Sequence, residues 1–430
     1  MTLRKLALPI VALGLTLPSL AAAQEHKLPV LREQSRAAPQ SAERSFALGH
    51  ALRYAGRLEE SVAELRRGAS TREAWLSRAT GRFALELARV HVDRDDATSA
   101  LSACRGVPSA QKALGHVCRA EAFLKQNRAS EALPELEQAL GLEPASYDAR
   151  VAKGRALALS GKLTDAAFVL EAAIAAEKSR AEGPRELARV RLQLGEREAA
   201  LSLLRTARSL DVDDPLLAFE LGEALGPVRE GAEALRAAIA IRPGLAAAHT
   251  KLAVAALALG ELDEADRSSA EALRLAPTSV DAHLARGQAL LAKGDVEGAL
   301  VEAQIVKSAS SYSPAAERLI AEALAKKGDV DGATEAFLNV YGLDKNDPAP
   351  LVRGGRLCFE TGRLTSARAF VEKATLSFPA HAAAWELLGD VEAWRGADAK
   401  ARAAYEKALA LPDLVDPAAT RTKLVALRAP

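Results

Sequence analysis

Glycine recurs along most of this 430-residue chain at a fixed interval. Gly161, Gly195, Gly226, Gly260, Gly294, Gly328, Gly362 and Gly396 follow one another at 34 residues, except for the 31 between Gly195 and Gly226. That interval is the length of a whole supersecondary unit, so the chain stacks copies of one unit against each other. Gly takes left-handed backbone at least cost, and its recurrence marks the turn that ends a helix. Five residues after each turn stands a small residue: Ala166, Ala200, Gly231, Ala265, Ala299, Ala333, Ala367 and Ala401. Four further on come Leu170, Leu204, Leu235, Ser269, Ala303, Phe337, Val371 and Tyr405, one turn along the same helical face. The small residue lets two helices approach, and the pattern reads as helix–turn–helix pairs.

The stretch from Trp385 to Leu411 carries the fullest version. From Trp385, Leu388 and Gly389 follow at +3 and +4, Gly396 at +11, Ala401 at +16, Tyr405 at +20 and Ala408 at +23. This resembles the tetratricopeptide repeat, with Glu392 where that family usually has Tyr. Upstream the frame continues with other turn residues: Asn127, with Ala132, Leu136, Ala139 and Pro144 behind it; Asp95, with Ala100 and Cys104; and first of all Gly56, with Ser61 and Leu65. Asn also tolerates left-handed backbone. The step from Gly56 to Asp95 is 39, which predicts an extended helix from about Arg72 to Val92. The resemblance covers residues 41–412. It implies an all-α solenoid of about eleven repeats, a superhelix whose concave face is lined by first helices. In the 31-residue repeat the match runs through Leu221-Gly222, so three residues are missing near the turn at Gly226-Pro227. That break is expected to kink the array or open a notch.

The two ends read differently. Residues 1–23 have the form of a secretory signal peptide: Arg4 and Lys5, an apolar run from Leu6 to Leu17, then Ala21-Ala22-Ala23. The run is too short for the ~20 residues that span a bilayer, so no membrane span is expected after cleavage. The mature chain is expected to start at Gln24, in the periplasm or outside the cell. Residues 24–40, polar with Pro29 and Pro39, read as a linker. Over 413–430, Asp416-Pro417 looks like a cap and first position opening a helix to about Arg428. Its Leu424 and Leu427 would cover the last repeat, with Arg421, Lys423 and Arg428 facing water. Aromatic residues make up only 4% of the chain, which suits thin layers of closely packed helices.

Chemistry is harder to find. The net charge is +1, from 57 basic and 56 acidic side chains, and gives no footprint for nucleic acid. No phosphate-binding loop forms at Gly161-Lys162, since Ala156 and Leu163 stand where Gly and Ser or Thr are needed. Neither a nucleophile elbow nor a His-Glu-x-x-His pattern occurs. No cofactor is expected, and no catalytic or metal site: Cys104, His116 and Cys118 match no zinc spacing, and His249 and His283 read as packing or surface residues. For Cys104 and Cys118 the simpler reading is two buried thiols. The alternative is a disulfide, because the resemblance implies that their helices pack together. Cys358 reads as a core residue.

What remains is surface. First-helix positions facing the groove include Arg89, Glu121, Arg155, Arg189, Glu223, Gln288, Glu322, Arg356 and Asp390. Arg155, Arg185 and Arg189 lie on adjacent repeats and could form a basic strip that holds acidic peptide side chains. The competing reading is a solvated face with local ion pairs. Chaperone-tail receptors of the family clamp a terminal carboxylate with Lys and Asn, and the Asn residues are missing here. The expected function is an exported, non-enzymatic scaffold for a protein or peptide partner of the cell envelope. An accessory role in a secretion, pilus or polysaccharide-export assembly is what the resemblance implies. The alternative is a chaperone-like module holding extended clients in its groove.

Overall fold

The computed structural model describes residues 27–76, 79–310 and 312–427, and the segment read as a signal peptide lies outside them. Among the described residues are 25 α-helices, one short 3-10 helix and no strand. The chain divides into two compact units, residues 1–248 and 249–430.

In the first unit six helix pairs follow one another. They are Ala42–Tyr54 with Leu58–Ala69, Thr80–Asp93 with Ala97–Cys104, and Lys112–Lys125 with Ala129–Leu142. After these come Tyr147–Leu159 with Leu163–Ala176, Glu182–Gln193 with Arg197–Leu210, and Pro215–Leu225 with Arg229–Ile241. The seventh pair, Ala246–Leu259 with Leu262–Leu275, has the unit boundary inside its first helix. The second unit continues with Val280–Lys293 and Val296–Ala309, Pro314–Lys327 and Val330–Leu343, Ala349–Glu360 and Leu364–Ser377, Ala382–Trp394 and Asp398–Leu409. The helix Pro417–Ala426 then packs on Asp398–Leu409. These are stacked helix pairs of an all-α solenoid, eleven repeats in number among the described residues.

Every turn named from the sequence has left-handed backbone. The nine glycines from Gly56 to Gly396 have φ between +74° and +94°, and Asp95 and Asn127 hold +61° and +58°. Behind each turn the small residue is fully buried, from Ser61 and Ala100 through to Ala401. In five repeats the large residue one turn later meets a glycine of the partner helix, and in five others Ala stands at that glycine's position. A Cβ on Gly49 would lie 2.6 Å from the Leu65 side chain, and one on Gly389 would run into the Tyr405 ring. In those five repeats with glycine, close helix approach depends on Gly in the first helix and bulk in the second. In the second unit the largest apolar cluster gathers Phe337, Leu351, Phe370, Val371, Leu387 and Val391.

The first unit bends back on itself. The Tyr54 hydroxyl donates to Asp211 Oδ2 at 3.1 Å, and Lys27 Nζ lies 2.6 Å from Asp213 Oδ2. The first repeat thus touches the loop that follows the fifth.

Three expectations change. The stretch read as a linker holds the helix Lys27–Ala37, with Pro29 in the first turn, where its missing N–H has no partner to lose. Ser35 of that helix is buried, donates to Glu64 and accepts from Arg67, so it is seated on the first repeat. The extended helix expected from Arg72 to Val92 is broken into Arg72–Leu76 and Thr80–Asp93. Lys423 does not face water alone: its ammonium sits 2.9 Å from both Glu386 and Asp390. Glu392, in the family's Tyr position, is buried, and Arg368 and Arg395 neutralise it at 3.0 and 3.4 Å. At the end of the chain Asp416 caps its helix by accepting from the Ala419 N–H at 2.9 Å.

Candidate interaction surface

The three arginines singled out from the sequence do lie on neighbouring first helices, but their charge is already spent. Arg185 reaches Glu220 at 2.5 Å and Asp214 at 3.2 Å. Arg189 pairs with Glu186 at 3.0 Å and also with Glu220, while Arg155 lies 3.5 Å from Glu186. Three guanidinium groups thus face three carboxylates, so the expected basic strip is corrected to a neutral lattice. The cause is that each repeat supplies acids at the level of the preceding repeat's arginines. Burial alone would raise the Glu220 carboxyl, but the donors of Arg185 and Arg189 hold it below the ordinary range. Asp214, more buried than its single arginine compensates, is pushed up instead.

The lattice continues toward the N-terminus. Arg89 forks onto Glu121 at 2.9 and 3.0 Å and comes within 3.7 Å of Asp148, two repeats on. Asp148 in turn accepts from Arg180 at 2.7 Å. At its head lies Glu86, 2% exposed, touched by Arg53 at 3.0 Å and His50 at 2.8 Å. Desolvation works to raise the Glu86 carboxyl, and Arg53, His50 and Arg89 outweigh it, holding it far below the usual carboxylate range. Glu86, Arg53, Asp148, Arg180 and Glu220 were missed by sequence reasoning. A signal existed: Glu86 and Glu186 stand nine residues before their turns, where other repeats carry Ala152, Ala285, Leu319 or Leu387.

The lattice ends at a cavity. The sixth repeat's first helix, Pro215–Leu225, has 11 residues where the fourth repeat's has 13. Beside its C-terminal end lies an open cavity of about 670 Å³, lined by Arg189, Leu192, Arg197, Phe219, Glu220 and Ala224 among others. This is the notch expected from the 31-residue spacing. Arg197 donates to the Leu225 carbonyl at 2.9 Å, closing off the end of the short helix.

Cys104 and Cys118 are joined as a disulfide, with Cα atoms 5.6 Å apart, and Cys358 is a buried free thiol. His116 meets Glu135 at 2.6 Å, and His283 meets Glu302 at 2.6 Å. No group of three or more His, Cys, Asp or Glu that could hold a metal ion occurs among the described residues. No described helix is long and apolar enough to cross a membrane.

Stacked helix pairs with glycine-type turns and buried small residues define an α-solenoid interaction fold. In comparison with known proteins, three stretches of the chain, residues 119–181, 250–314 and 324–391, match models of the tetratricopeptide repeat. No curated protein sequence matches the chain. Among solved structures it is similar to the Cut9–Hcn1 hetero-tetramer of the APC/C, at 12% identity over 86% of this chain and 83% of that one, TM-score 0.50. Yeast Tom70 is similar at 13% identity over 90% and 95%, TM-score 0.46. A Pseudomonas aeruginosa pilF structure matches at 19% identity over 48% and 95%, TM-score 0.41. At these identities the likeness is one of fold.

Proposed function

We propose that this chain is an exported, non-enzymatic scaffold that holds another protein of the cell envelope on its helical surface, as an accessory to a secretion, pilus or polysaccharide-export assembly. The observation that carries the reading is the tetratricopeptide array itself. A stack of thin helix pairs generates extended surface, and the fold's use is protein–protein interaction. Export is supported by the pattern of residues 1–23 and by the Cys104–Cys118 bridge, since structural disulfides persist in oxidising compartments. The chaperone-like alternative drew its force from a bare arginine strip, and the pairing of Arg155, Arg185 and Arg189 with Glu186, Asp214 and Glu220 weighs against it.

The test is to tag the chain at its C-terminus, express it in its own host, cross-link intact cells and identify what is captured. One or two stoichiometric envelope proteins are expected. A diffuse population of unfolded exported proteins would favour the chaperone-like module, and capture of nothing would sink both.

A further inference from the structure

The notch in the sixth repeat is more than a missing turn. Between the motif glycine Gly222 and the turn glycine Gly226 lie three residues, against six between Gly154 and Gly161. The first helix is therefore cut at its C-terminal end, where it would otherwise cover Leu192 and Gly195 of the fifth repeat. The inner side of the cut has been repaired. The second helix carries Gly231 where nearly every other repeat has Ala, and a Cβ there would collide with the Gly226 carbonyl oxygen. Arg197 takes up the Leu225 carbonyl. The groove side has not been filled: Leu192 is 40% exposed, and Phe219 and Ala224 are only half-buried.

We infer that this notch is a docking pocket for an extended peptide segment of the scaffold's protein partner, one that presents an apolar side chain next to a carboxylate. The inference rests on the scaffold reading and names where the partner is gripped. The size of the occupant follows from the deletion, which leaves the room of three helical residues. Its apolar part follows from the walls, where Leu192, Phe219 and Ala224 surround a floor made by buried Leu204. Its charge follows from the ion pairs. Arg189 is matched by Glu186 and Glu220, and Glu220 is further engaged by Arg185. Glu223, also on the wall, is not free. Arg197 is held only by a backbone carbonyl, so its guanidinium brings a positive charge to the rim and has donors left for a carboxylate.

The experiment uses the full oxidised chain and a phage-displayed library of random dodecapeptides. Panning is expected to enrich clones sharing an apolar residue beside Asp or Glu. Two variants then locate the site. The first inserts Ala-Leu-Ala after Glu223, which restores the 34-residue spacing and fills the notch. The second, Leu192→Asp, places a negative charge in its wall without touching the backbone and opposes both the apolar side chain and its neighbouring carboxylate. Each is expected to weaken the selected peptides about tenfold or more, as loss of one buried apolar side chain does. Arg197→Gln is expected to weaken acidic clones and leave their Asn and Gln counterparts unchanged. Equal binding by wild type and both notch variants, or no enriched sequence at all, overturns the inference. Cross-linking in cells separates this from the scaffold reading. If the insertion variant still captures the same envelope protein, the scaffold stands and the notch is not its grip.

Discussion

The two units solve the same stacking problem with different chemistry. Nine residues before the turn, the second unit carries the buried, apolar Ala285, Leu319 and Leu387 and, in two repeats, the exposed Lys251 and Arg353. The first unit puts Glu86 and Glu186 at that position, and Glu220 stands there once the sixth repeat's missing residues are allowed for. Its repeats are tied across their first helices by a charged lattice buried through successive repeats, whereas the second unit fills three of these positions with apolar side chains and bridges its first helices at a more exposed pair, Arg353 and Glu322. A bridge such as Arg89 to Asp148 skips a repeat, which neighbour-to-neighbour packing cannot do. The difference teaches that a regular repeat pattern fixes the spacing of helices but leaves the glue between them open. A buried lattice also demands completeness, since a carboxylate that loses its cations is stranded out of water.

The largest test of that contrast is Glu86→Ala. It leaves Arg53, His50 and Arg89 without their shared buried partner, and such breaks cost roughly 3–5 kcal/mol. Urea unfolding should show the loss in the first unit, while the second unit's transition keeps its midpoint. Acid should act in the same direction. Glu86 and Glu220 have folded values below the ordinary 4.5, so the stability they give is full above that pH and is lost as pH falls toward the depressed values. Asp148 behaves likewise, from an ordinary value of 3.8. Asp214, shifted upward, works against this and softens the effect. A first unit as stable at pH 3 as at pH 7 would break the comparison.

Next in size is the disulfide. The second repeat's second helix, Ala97–Cys104, has 8 residues where most others have 12 to 14, so it has little surface of its own to bury. The bridge ties it to the first helix of the third repeat across a separation of 14. Closing a loop of that length stabilises by about 3 kcal/mol in the chain-entropy model. Reduction, or the double change Cys104→Ser and Cys118→Ser, should therefore weaken the first unit by that order. Hydrogen exchange would locate the loss at residues 97–125. The second unit's Cys358, a buried thiol without a bridge, serves as the control: reduction should leave exchange around it unchanged.

Much of this was legible in the sequence because turns, small buried residues and helix spacing are local, periodic demands. The notch was legible too, as a three-residue gap in a ruler. The lattice was not, because whether Arg185 lies bare or paired depends on Asp214 and Glu220, 29 and 35 residues away. Only the stacking geometry brings those groups together. Lys423 shows the same limit: its spacing suggests a solvent face, and the fold lays it on Glu386 and Asp390. The helix Lys27–Ala37 was hidden for another reason. It belongs to no repeat, and its partners Glu60, Glu64 and Asp213 are set by the first unit's curvature.

The smallest effect concerns the turns, and it asks whether the first unit also tolerates local strain that the second avoids. Its second and third repeats turn through Asp95 and Asn127, with positive φ at residues that have a Cβ, whereas every turn from the fourth repeat on uses Gly. Left-handed backbone costs an ordinary residue about 1–2 kcal/mol, and Asn and Asp less, because their short polar side chains bond locally. Asp95→Gly and Asn127→Gly should each stabilise the first unit by less than about 1 kcal/mol, since Gly also loses more chain entropy on folding. Asn127→Ala should destabilise it by about 1 kcal/mol. These are differences of a few tenths to one, so they are best read from urea midpoints of the three variants measured side by side. If Asn127→Gly proves destabilising, the Asn side chain is holding the turn through bonds of its own, and the first unit's irregular turns are then built features in the same sense as its charged lattice.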